Sequence, residues 1–235
     1  MHRRLLCLGV ALLAACATTD TAADTSAAAD TAGSATATAD PDVAAPGGAI
    51  PAGYVGQVDP PRPGRPPTDI ADASYTVSDG RWEVRTGPAH IVYAPGDTAS
   101  GSYSATAAFE LLEEPVHADA VGLFIGGTDL GQPSQRYTYF LVRHTGEYMI
   151  RVRESSDSLR MIAEWTPSPD VPKLGPDGRA SYELTAHVDA DSTRFLVNDR
   201  VVATVATASI PTDGIAGLRI NHNLHVRTGP VTIER

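Results

Sequence analysis

The sequence has few of the features expected of a disulfide-rich, membrane-spanning or nucleic-acid-binding protein. Its 235 residues include only two cysteines, Cys7 and Cys16, too few for a disulfide framework. The longest apolar run, residues 5–15, is shorter than the roughly 18 residues that a membrane-spanning helix needs. Acidic residues outnumber basic ones by 28 to 18, and no block of five basic residues occurs. Nucleic acid is therefore not expected as a partner.

The N-terminus has the basic and then apolar pattern of a secretory signal. Its apolar run ends in Leu13-Ala14-Ala15-Cys16. These four residues resemble the lipobox of bacterial lipoproteins, in which the signal is cut before the cysteine and the cysteine is lipidated. The resemblance implies a signal peptide at residues 1–15, lipidation of Cys16, and a membrane as partner through the lipid anchor. An ordinary secretory signal with an incidental Cys16 is the alternative.

The expected location is the bacterial cell envelope. In enterobacterial lipoproteins, an Asp directly after the lipidated cysteine is the signal for retention in the inner membrane. This chain has Ala17 at that position, so the outer membrane is favoured. Cys7 leaves with the signal, and Cys16 alone cannot form an intramolecular disulfide. The stability of the mature chain must therefore come from its core.

Residues 16–73 are predicted to form a disordered tether behind the lipidated cysteine. They consist largely of Ala, Thr, Asp, Gly and Pro, with a Thr/Ala/Asp run at 18–40 and a Pro-rich run at 60–67. Such a composition offers almost nothing that could bury a core. The expected role is to hold a folded domain away from the lipid surface.

Residues 74–235 are predicted to form an all-β domain. Short alternating runs are separated by Gly, Pro, Asp and Ser, and no window shows sustained helical periodicity. About a dozen strands fit a β-sandwich or barrel. The candidate strands are residues 81–85, 90–93, 103–112, 120–125, 136–144, 148–153, 159–165, 181–188, 193–198, 201–206, 214–220 and 225–234.

Two hairpin turns can be placed. Asn198 and Asp199 both tolerate the positive φ that a tight type I′ turn requires. Gly146 supplies the same freedom between residues 142 and 148. These turns fix which side chains share a face of the sheet.

The same segments resemble a known fold family. Residues 194–206 read RFLVNDRVVATVA, residues 214–220 read GIAGLRI, and GRWEV and YMIRV stand at residues 80–84 and 148–152. They are similar to concanavalin A-like jelly rolls, in particular the 3-keto-disaccharide hydrolase domains and, in fold, laminarinase-type glucanases and laminin G modules. The resemblance spans about residues 74–235 and implies a concanavalin A-like jelly-roll β-sandwich. Asp199 stands where the family commonly has Gly.

The sequence identifies no catalytic residue. Laminarinase-type enzymes carry two carboxylates on one strand face, whereas Glu110 and Glu113 are predicted to point to opposite faces. No Gly-x-Ser-x-Gly elbow is present. Should the domain act on 3-keto-glycosides, as the resemblance allows, Glu164 and His144 are the candidate acid/base groups.

No metal site or cofactor is expected. His222 and His225 are three residues apart, which on an extended chain turns them to opposite sides, and no third ligand is evident. Aspartates near turn signals are expected to form turns and not to bind calcium. They are Asp129, Asp189, Asp191 and Asp213.

The predicted ligand-binding residues lie on three consecutive strands. Aromatic rings can cover the apolar face of a sugar, and guanidinium groups can bind its hydroxyl or carboxylate groups. Because the chain has 17 Arg and one Lys, Lys173, an Arg-rich face is also explained by composition alone. The residues assigned to this face are Tyr137, Tyr139, Arg143, Arg151, Arg153 and Arg160.

The sequence thus predicts an envelope-anchored lipoprotein whose sandwich binds glycan or another envelope carbohydrate without catalysis. One alternative is a hydrolase or lyase that acts on 3-keto-glycosides. A second is a structural scaffold lipoprotein, which a continuous apolar surface patch would favour.

Overall fold

The computed structural model describes residues 48–60 and 67–235, and almost all regular structure in them is β-strand. Their helical elements are two short 3₁₀ turns, Ile70–Asp72 and Thr207–Ser209. Within these two ranges, no helix has the length and apolar character needed to span a membrane. The predicted signal at 1–15, Cys16 and tether residues 17–47 and 61–66 lie outside the described residues.

The described strands form two antiparallel sheets. The first sheet contains β1 (Val55–Val58), β4 (His90–Tyr93), β5 (Thr98–Ala99), β7 (Ala120–Thr128), β8 (Arg136–Arg143), β9 (Glu147–Arg153), β10 (Leu159–Pro167) and β14 (Gly214–Ile220). The second contains β2 (Ser74–Ser78), β3 (Arg81–Arg85), β6 (Tyr103–Leu111), β11 (Ala180–Val188), β12 (Ser192–Val197), β13 (Arg200–Ala206), β15 (His225–Thr228) and β16 (Thr232–Glu234).

The strand order shows that the chain crosses repeatedly between the sheets. The first sheet runs β1-β4-β14-β7-β8-β9-β10, with β5 also paired to β14. The second runs β13-β12-β11-β6-β15-β3-β2, with β16 also paired to β6. This two-sheet arrangement confirms the predicted all-β jelly-roll sandwich.

The main core lies between the sheets and follows from strand alternation. Leu123 of β7, Phe140 of β8 and Ile150 of β9 face Leu184 of β11 and Phe195 of β12, and all five are fully buried. Burial of a large apolar side chain contributes about 1.5–3 kcal/mol to folding. A second apolar cluster covers the opposite side of the first sheet, so β7 and β8 are buried on both faces.

Both predicted hairpins are confirmed. Asn198 and Asp199 have φ of 48° and 64°, and β12 and β13 pair beside them through Val197 and Arg200. Gly146 has φ of 91° in the turn that joins β8 to β9.

The folded part begins earlier than residue 74. Strand β1 lies inside the range predicted as tether, and it pairs with β4 through Val55 and Tyr93. Asp69 caps the following 3₁₀ turn by accepting the N–H of Ala71. The tether prediction is therefore wrong for these residues, because four residues flanked by Gly and Pro give too short a pattern to indicate a strand.

Three smaller differences concern strand bounds. Strands β2 and β5 have no counterpart among the candidate strands, although β2 begins at the predicted domain boundary. The single strand predicted at residues 225–234 is two strands, β15 and β16. Gly229-Pro230 separates them, since proline has no N–H for the ladder.

Candidate functional site

Five of the six predicted ligand residues lie on one side of the first sheet, the side turned away from the second sheet. Tyr137 pairs with Arg153, and Tyr139 pairs with Arg151, so each pair shares a face. Arg143 follows on β8 with the same alternation. We call this surface, defined by Tyr137, Tyr139, Arg143, Arg151 and Arg153, the Tyr–Arg face.

The assignment of Arg160 to this face is wrong. Leu159 pairs with Arg153, which places Arg160 opposite Val152, a core residue. The exposed guanidinium of Arg160 instead binds Glu154, with Nε 2.6 Å from Oε1, and donates to the carbonyl of Ser209 at 3.0 Å. The loop between β9 and β10 sets this register, and its Ser and Asp residues indicate a turn without fixing its length.

The two tyrosines are buried and form part of an aromatic layer. Tyr137 is 1% exposed and Tyr139 4% exposed. The Tyr137 ring centroid lies 5.2 Å from that of Phe124 and 5.9 Å from that of Tyr139. The expectation that these rings are open stacking platforms is therefore not met in this conformation.

Arg153 crosses this layer and is itself buried. Its Nε donates to the Tyr137 hydroxyl at 2.9 Å, and its Nη1 donates to the carbonyl of Ser156 at 2.8 Å. Its guanidinium carbon is 5.7 Å from the centre of the Tyr137 ring, within the range of a cation–π contact. Burial raises the pKa of Tyr137, although the nearby guanidinium groups of Arg219 and Arg153 oppose this effect.

Arg143 forms the opposite end of the face. Its Nε and Nη2 reach one carboxylate oxygen of Glu147 at 2.7 Å and 2.6 Å. Its guanidinium carbon lies 4.3 Å from the centre of the Trp165 ring. The hydrogen bonds from Arg143 and Thr145 hold the pKa of Glu147 below its usual range. Arg143 is thus fixed between a carboxylate and an indole.

Arg151 is the accessible cation of the face. It is partly exposed, and its Nε lies 3.4 Å from the sulfur of Met161, a weak acceptor. Within the described part of the chain, no carboxylate is paired with its guanidinium. Trp165 is half-buried and Met161 is 38% exposed, so these three side chains form an accessible rim over the aromatic layer.

Two charged residues that the sequence did not indicate complete the face. Arg219 of β14 forms a two-point ion pair with Asp59, with Nη1–Oδ1 of 2.6 Å and Nη2–Oδ2 of 2.5 Å. Arg219 also lies 5.7 Å over the Tyr139 ring and reaches Asn221 with its Nε. Burial would raise the pKa of Asp59, but Arg219 and then Arg153 outweigh that effect and hold it below its usual range.

The outer face of the second sheet is different, because its charged side chains pair with one another. Arg227 binds Glu110 at 2.8 Å, and His225 lies 2.8 Å from Glu83 and 3.4 Å from Glu113. We call this the charged face, defined by these five residues. An open groove of about 460 Å³ runs beside it, lined in part by Thr106, Ser181 and Asn198.

The carboxylates considered for glycoside hydrolysis lie on this charged face. The sequence predicts that Glu110 and Glu113 point to opposite sides, but both bind cations on this side of the sheet: Glu110 binds Arg227, and Glu113 binds Arg85 at 3.1 Å. The alternation ends there because β6 stops at Leu111 and Leu112 is also buried. Both carboxylates are thereby held in ion pairs.

The remaining candidates are dispersed. Glu164 is exposed on β10, while burial lowers the pKa of His144 in the turn after β8. His222 lies 3.0 Å from Asp119, on a different part of the surface from the His225 pairs. Among residues 48–60 and 67–235, no group of three or more His, Cys, Asp or Glu side chains is arranged to hold a metal.

Comparison with solved structures places the fold in the class of jelly-roll sandwiches. The carbohydrate-binding module CBM66 from Bacillus subtilis has a TM-score of 0.55 at 14% identity, over 81% of this chain and 100% of that one. A family 16 glycoside hydrolase from Bacteroides ovatus, in complex with a mixed-linkage glucan product, has a TM-score of 0.52 at 10% identity, over 77% and 94%.

A protein of unknown function with a galectin-like fold, also from Bacillus subtilis, has a TM-score of 0.50 at 13% identity, over 77% and 88% of the two chains. No protein-family model and no curated protein matches the sequence. At these identities the likenesses establish the fold, a concanavalin A-like and galectin-like β-sandwich. They do not establish a reaction or a ligand.

Proposed function

We propose that the sandwich binds carbohydrate at the Tyr–Arg face without chemical turnover. The observation that carries this proposal is the accessible rim of Arg151, Trp165 and Met161 above a buried aromatic layer. An indole covers the apolar face of a sugar ring, and a guanidinium without a carboxylate partner donates to hydroxyl or carboxylate oxygens. Two solved neighbours of this fold are described as a carbohydrate-binding module and a glucan-product complex of a hydrolase.

The surrounding carboxylates favour binding over hydrolysis. Asp59 and Glu147, next to the aromatic layer, are each bound to an arginine that lowers the pKa. A general acid in glycoside hydrolysis needs a raised pKa, which is the opposite effect. The resemblance to 3-keto-disaccharide hydrolase domains therefore enters the proposal as a likeness of fold.

A scaffold role is less well supported by the surface. Among residues 48–60 and 67–235, the exposed large hydrophobic residues lie on several separate segments, and only two of them share a strand. Single exposed apolar residues such as these are ordinary at protein surfaces, so they do not by themselves argue for a scaffold role. They are Val55, Val77, Val116, Leu159, Met161 and Val201.

The proposal also keeps the full chain at the bacterial cell envelope, with the outer membrane favoured. Its support is the Leu-Ala-Ala-Cys sequence that ends at Cys16. Several acyl chains on one cysteine would give durable membrane binding, at about 0.8 kcal/mol for each buried methylene. The sandwich would then be presented to envelope glycans.

The test is binding of the full chain to a panel of neutral and acidic glycans. Arg151→Ala and Trp165→Ala remove the accessible rim and should each weaken binding at least tenfold. Arg179→Ala is the matched control, since Arg179 is a half-exposed arginine bound to Glu110 on the second sheet. Binding that the two rim variants leave unchanged, or no binding to any glycan, contradicts the proposal. Product release from 3-keto-glycosides in the same samples would contradict the non-catalytic part.

A further inference from the structure

One carboxylate on the Tyr–Arg face serves two buried guanidinium groups. Asp59 makes the two-point pair with Arg219 and lies 3.5 Å from Nη2 of Arg153. The side chains of Arg219 and Arg153 are 8% and 6% exposed, whereas the side chain of Asp59 is 32% exposed. Asp59 is therefore the most accessible of these three side chains.

The cluster brings together side chains from distant strands. Strands β7 and β8 separate β14, which carries Arg219, from β9, which carries Arg153. Three strand spacings amount to about 14 Å, so the long side chains lean toward each other over the aromatic layer to meet at Asp59. The meeting point is next to the Tyr137 hydroxyl, which accepts from Arg153.

The charges of the cluster do not cancel within the described residues. Arg153 and Arg219 contribute two positive charges, and Asp59 contributes one negative charge. The remaining polar partners, the Tyr137 hydroxyl, the Ser156 carbonyl and the Asn221 amide oxygen, are neutral. Buried charges are costly unless they are paired, so this point of the face requires an anion, whichever group supplies it. This local excess of positive charge stands in a chain whose formal net charge is -10.

We propose that Asp59 occupies the position of a ligand carboxylate, and that the Tyr–Arg face binds acidic glycans whose uronate group replaces Asp59 on Arg219 and Arg153. This proposal rests on the carbohydrate-binding function proposed above and specifies its ligand class. Planar guanidinium groups bind carboxylates in the same two-point manner that Asp59 shows. The Tyr139 ring lies beneath Arg219, so it would be next to a sugar whose uronate binds that arginine.

The segment that carries Asp59 lies at an edge of the first sheet, among the strands that the structure describes. Strand β1 has four residues, all exposed or partly exposed, and among the described strands it pairs along one edge only, with β4. Beyond the ion pairs, the N–H of Asp59 donates to the carbonyl of Ala89, and Gln57 donates to Gln135. Edge strands with few buried contacts open at lower free energy than the core. Chains in which Asp59 holds the two arginines cannot bind the ligand there. The apparent affinity is therefore lower than the affinity of chains in which Asp59 is displaced.

Titration of the full chain with methyl glucuronide, methyl glucoside and acetate tests the proposal. Asp59→Ala removes the internal competitor and should bind methyl glucuronide at least tenfold more tightly than the wild type, with no such gain for methyl glucoside. Asp59→Asn keeps the shape of the side chain and should show a smaller gain in the same direction. Adding Arg219→Met to Asp59→Ala should abolish the gain.

Gln57→Ala is the matched control for a loosened strand, because Gln57 also ties β1 to the sheet without a charge. The proposal is overturned if Gln57→Ala gives the same gain, if glucuronide and glucoside gain equally, or if acetate binds as tightly as glucuronide. If neutral glycans bind the wild type and Asp59→Ala equally, and neither protein prefers a uronate, the proposed function stands and this inference is overturned. No glycan binding by any folded variant would contradict the proposed function itself.

Discussion

The hydroxyl of Tyr75 donates to Nε2 of His90 at 2.5 Å inside the core between the sheets. Nδ1 of His90 lies 2.8 Å from the carbonyl oxygen of Pro88, which can only accept, so Nδ1 carries the proton and Nε2 is the acceptor. Both side chains are almost completely buried. The pair therefore links β2 to β4, and with them the two sheets, through a neutral imidazole.

This pair predicts a pH dependence of stability between about pH 6.5 and 4. Burial lowers the pKa of His90 to about 4, so the unfolded chain takes up a proton in this range and the folded chain does not. The free energy of unfolding should fall by up to about 3 kcal/mol as the pH drops through this window. Urea unfolding at pH 7.5, 5.5 and 4.5 measures it.

His90→Gln should lose most of this pH dependence, since glutamine can keep a donor and an acceptor but does not titrate here. Burial also lowers the pKa of His144, which adds to the slope in the same direction. His144→Gln is therefore the control, and it should retain the larger part of the pH dependence of the free energy of unfolding. Parallel pH profiles for wild type and His90→Gln would contradict the assignment of the slope to His90.

The ion pair between Asp59 and Arg219 should contribute more to stability than the surface pairs. Arg219→Met removes the buried partner and should lower the free energy of unfolding by about 2 kcal/mol, less than for a fully buried pair because Asp59 retains Arg153. The half-exposed pair of Arg179 and Glu110 is the comparison, and Arg179→Met should cost less than about 1 kcal/mol. An equal loss of unfolding free energy in Arg219→Met and Arg179→Met would contradict a larger contribution from the Asp59–Arg219 pair.

The turn between β12 and β13 predicts opposite effects for its two residues. Asp199→Gly should stabilise by about 0.5 kcal/mol, because glycine adopts positive φ without strain. Asn198→Ala should destabilise by about 1–2 kcal/mol, because the Asn198 side chain also accepts the N–H of Glu183 at 2.8 Å. Thermal unfolding of both variants separates the effects, and a stabilising Asn198→Ala would contradict this account of the turn.

The proposed anchor predicts a change of cell fraction. Expressed in a bacterium that processes lipoproteins, the full chain should incorporate labelled palmitate and sediment with membranes. Cys16→Ser should abolish the label and shift the protein to the soluble fraction, while Cys7→Ser, which lies in the expected signal, should retain both. Unlabelled wild-type protein in the soluble fraction would contradict lipidation.

Much of the Tyr–Arg face could be predicted because a turn fixes its register. Gly146 joins β8 to β9 tightly, so simple alternation places Tyr137 opposite Arg153 and Tyr139 opposite Arg151. Arg160 follows a longer loop whose length the sequence does not constrain, and its assignment was wrong by one position. Register prediction thus succeeded where the local turn chemistry determined it.

The charges that complete the face could not be predicted. Asp59 and Arg219 are 160 positions apart in the chain, and Asp59 follows a four-residue edge strand among glycines and prolines. Alternation could not show the burial of Tyr137 and Tyr139 either, because the outer face of an antiparallel sheet is usually solvated. Both features depend on contacts between distant segments, for which a single sequence carries no local pattern.

Hydrogen exchange of the full chain, with and without the tightest-binding glycan from the panel, tests the central claim most directly. The account predicts slower exchange of backbone amides in β8, β9 and β10, which carry the Tyr–Arg face and its rim, with β6, β11 and β15 unchanged. Protection confined to β6, β11 and β15 would place the ligand on the second sheet beside the charged face. That result would contradict the site proposed here.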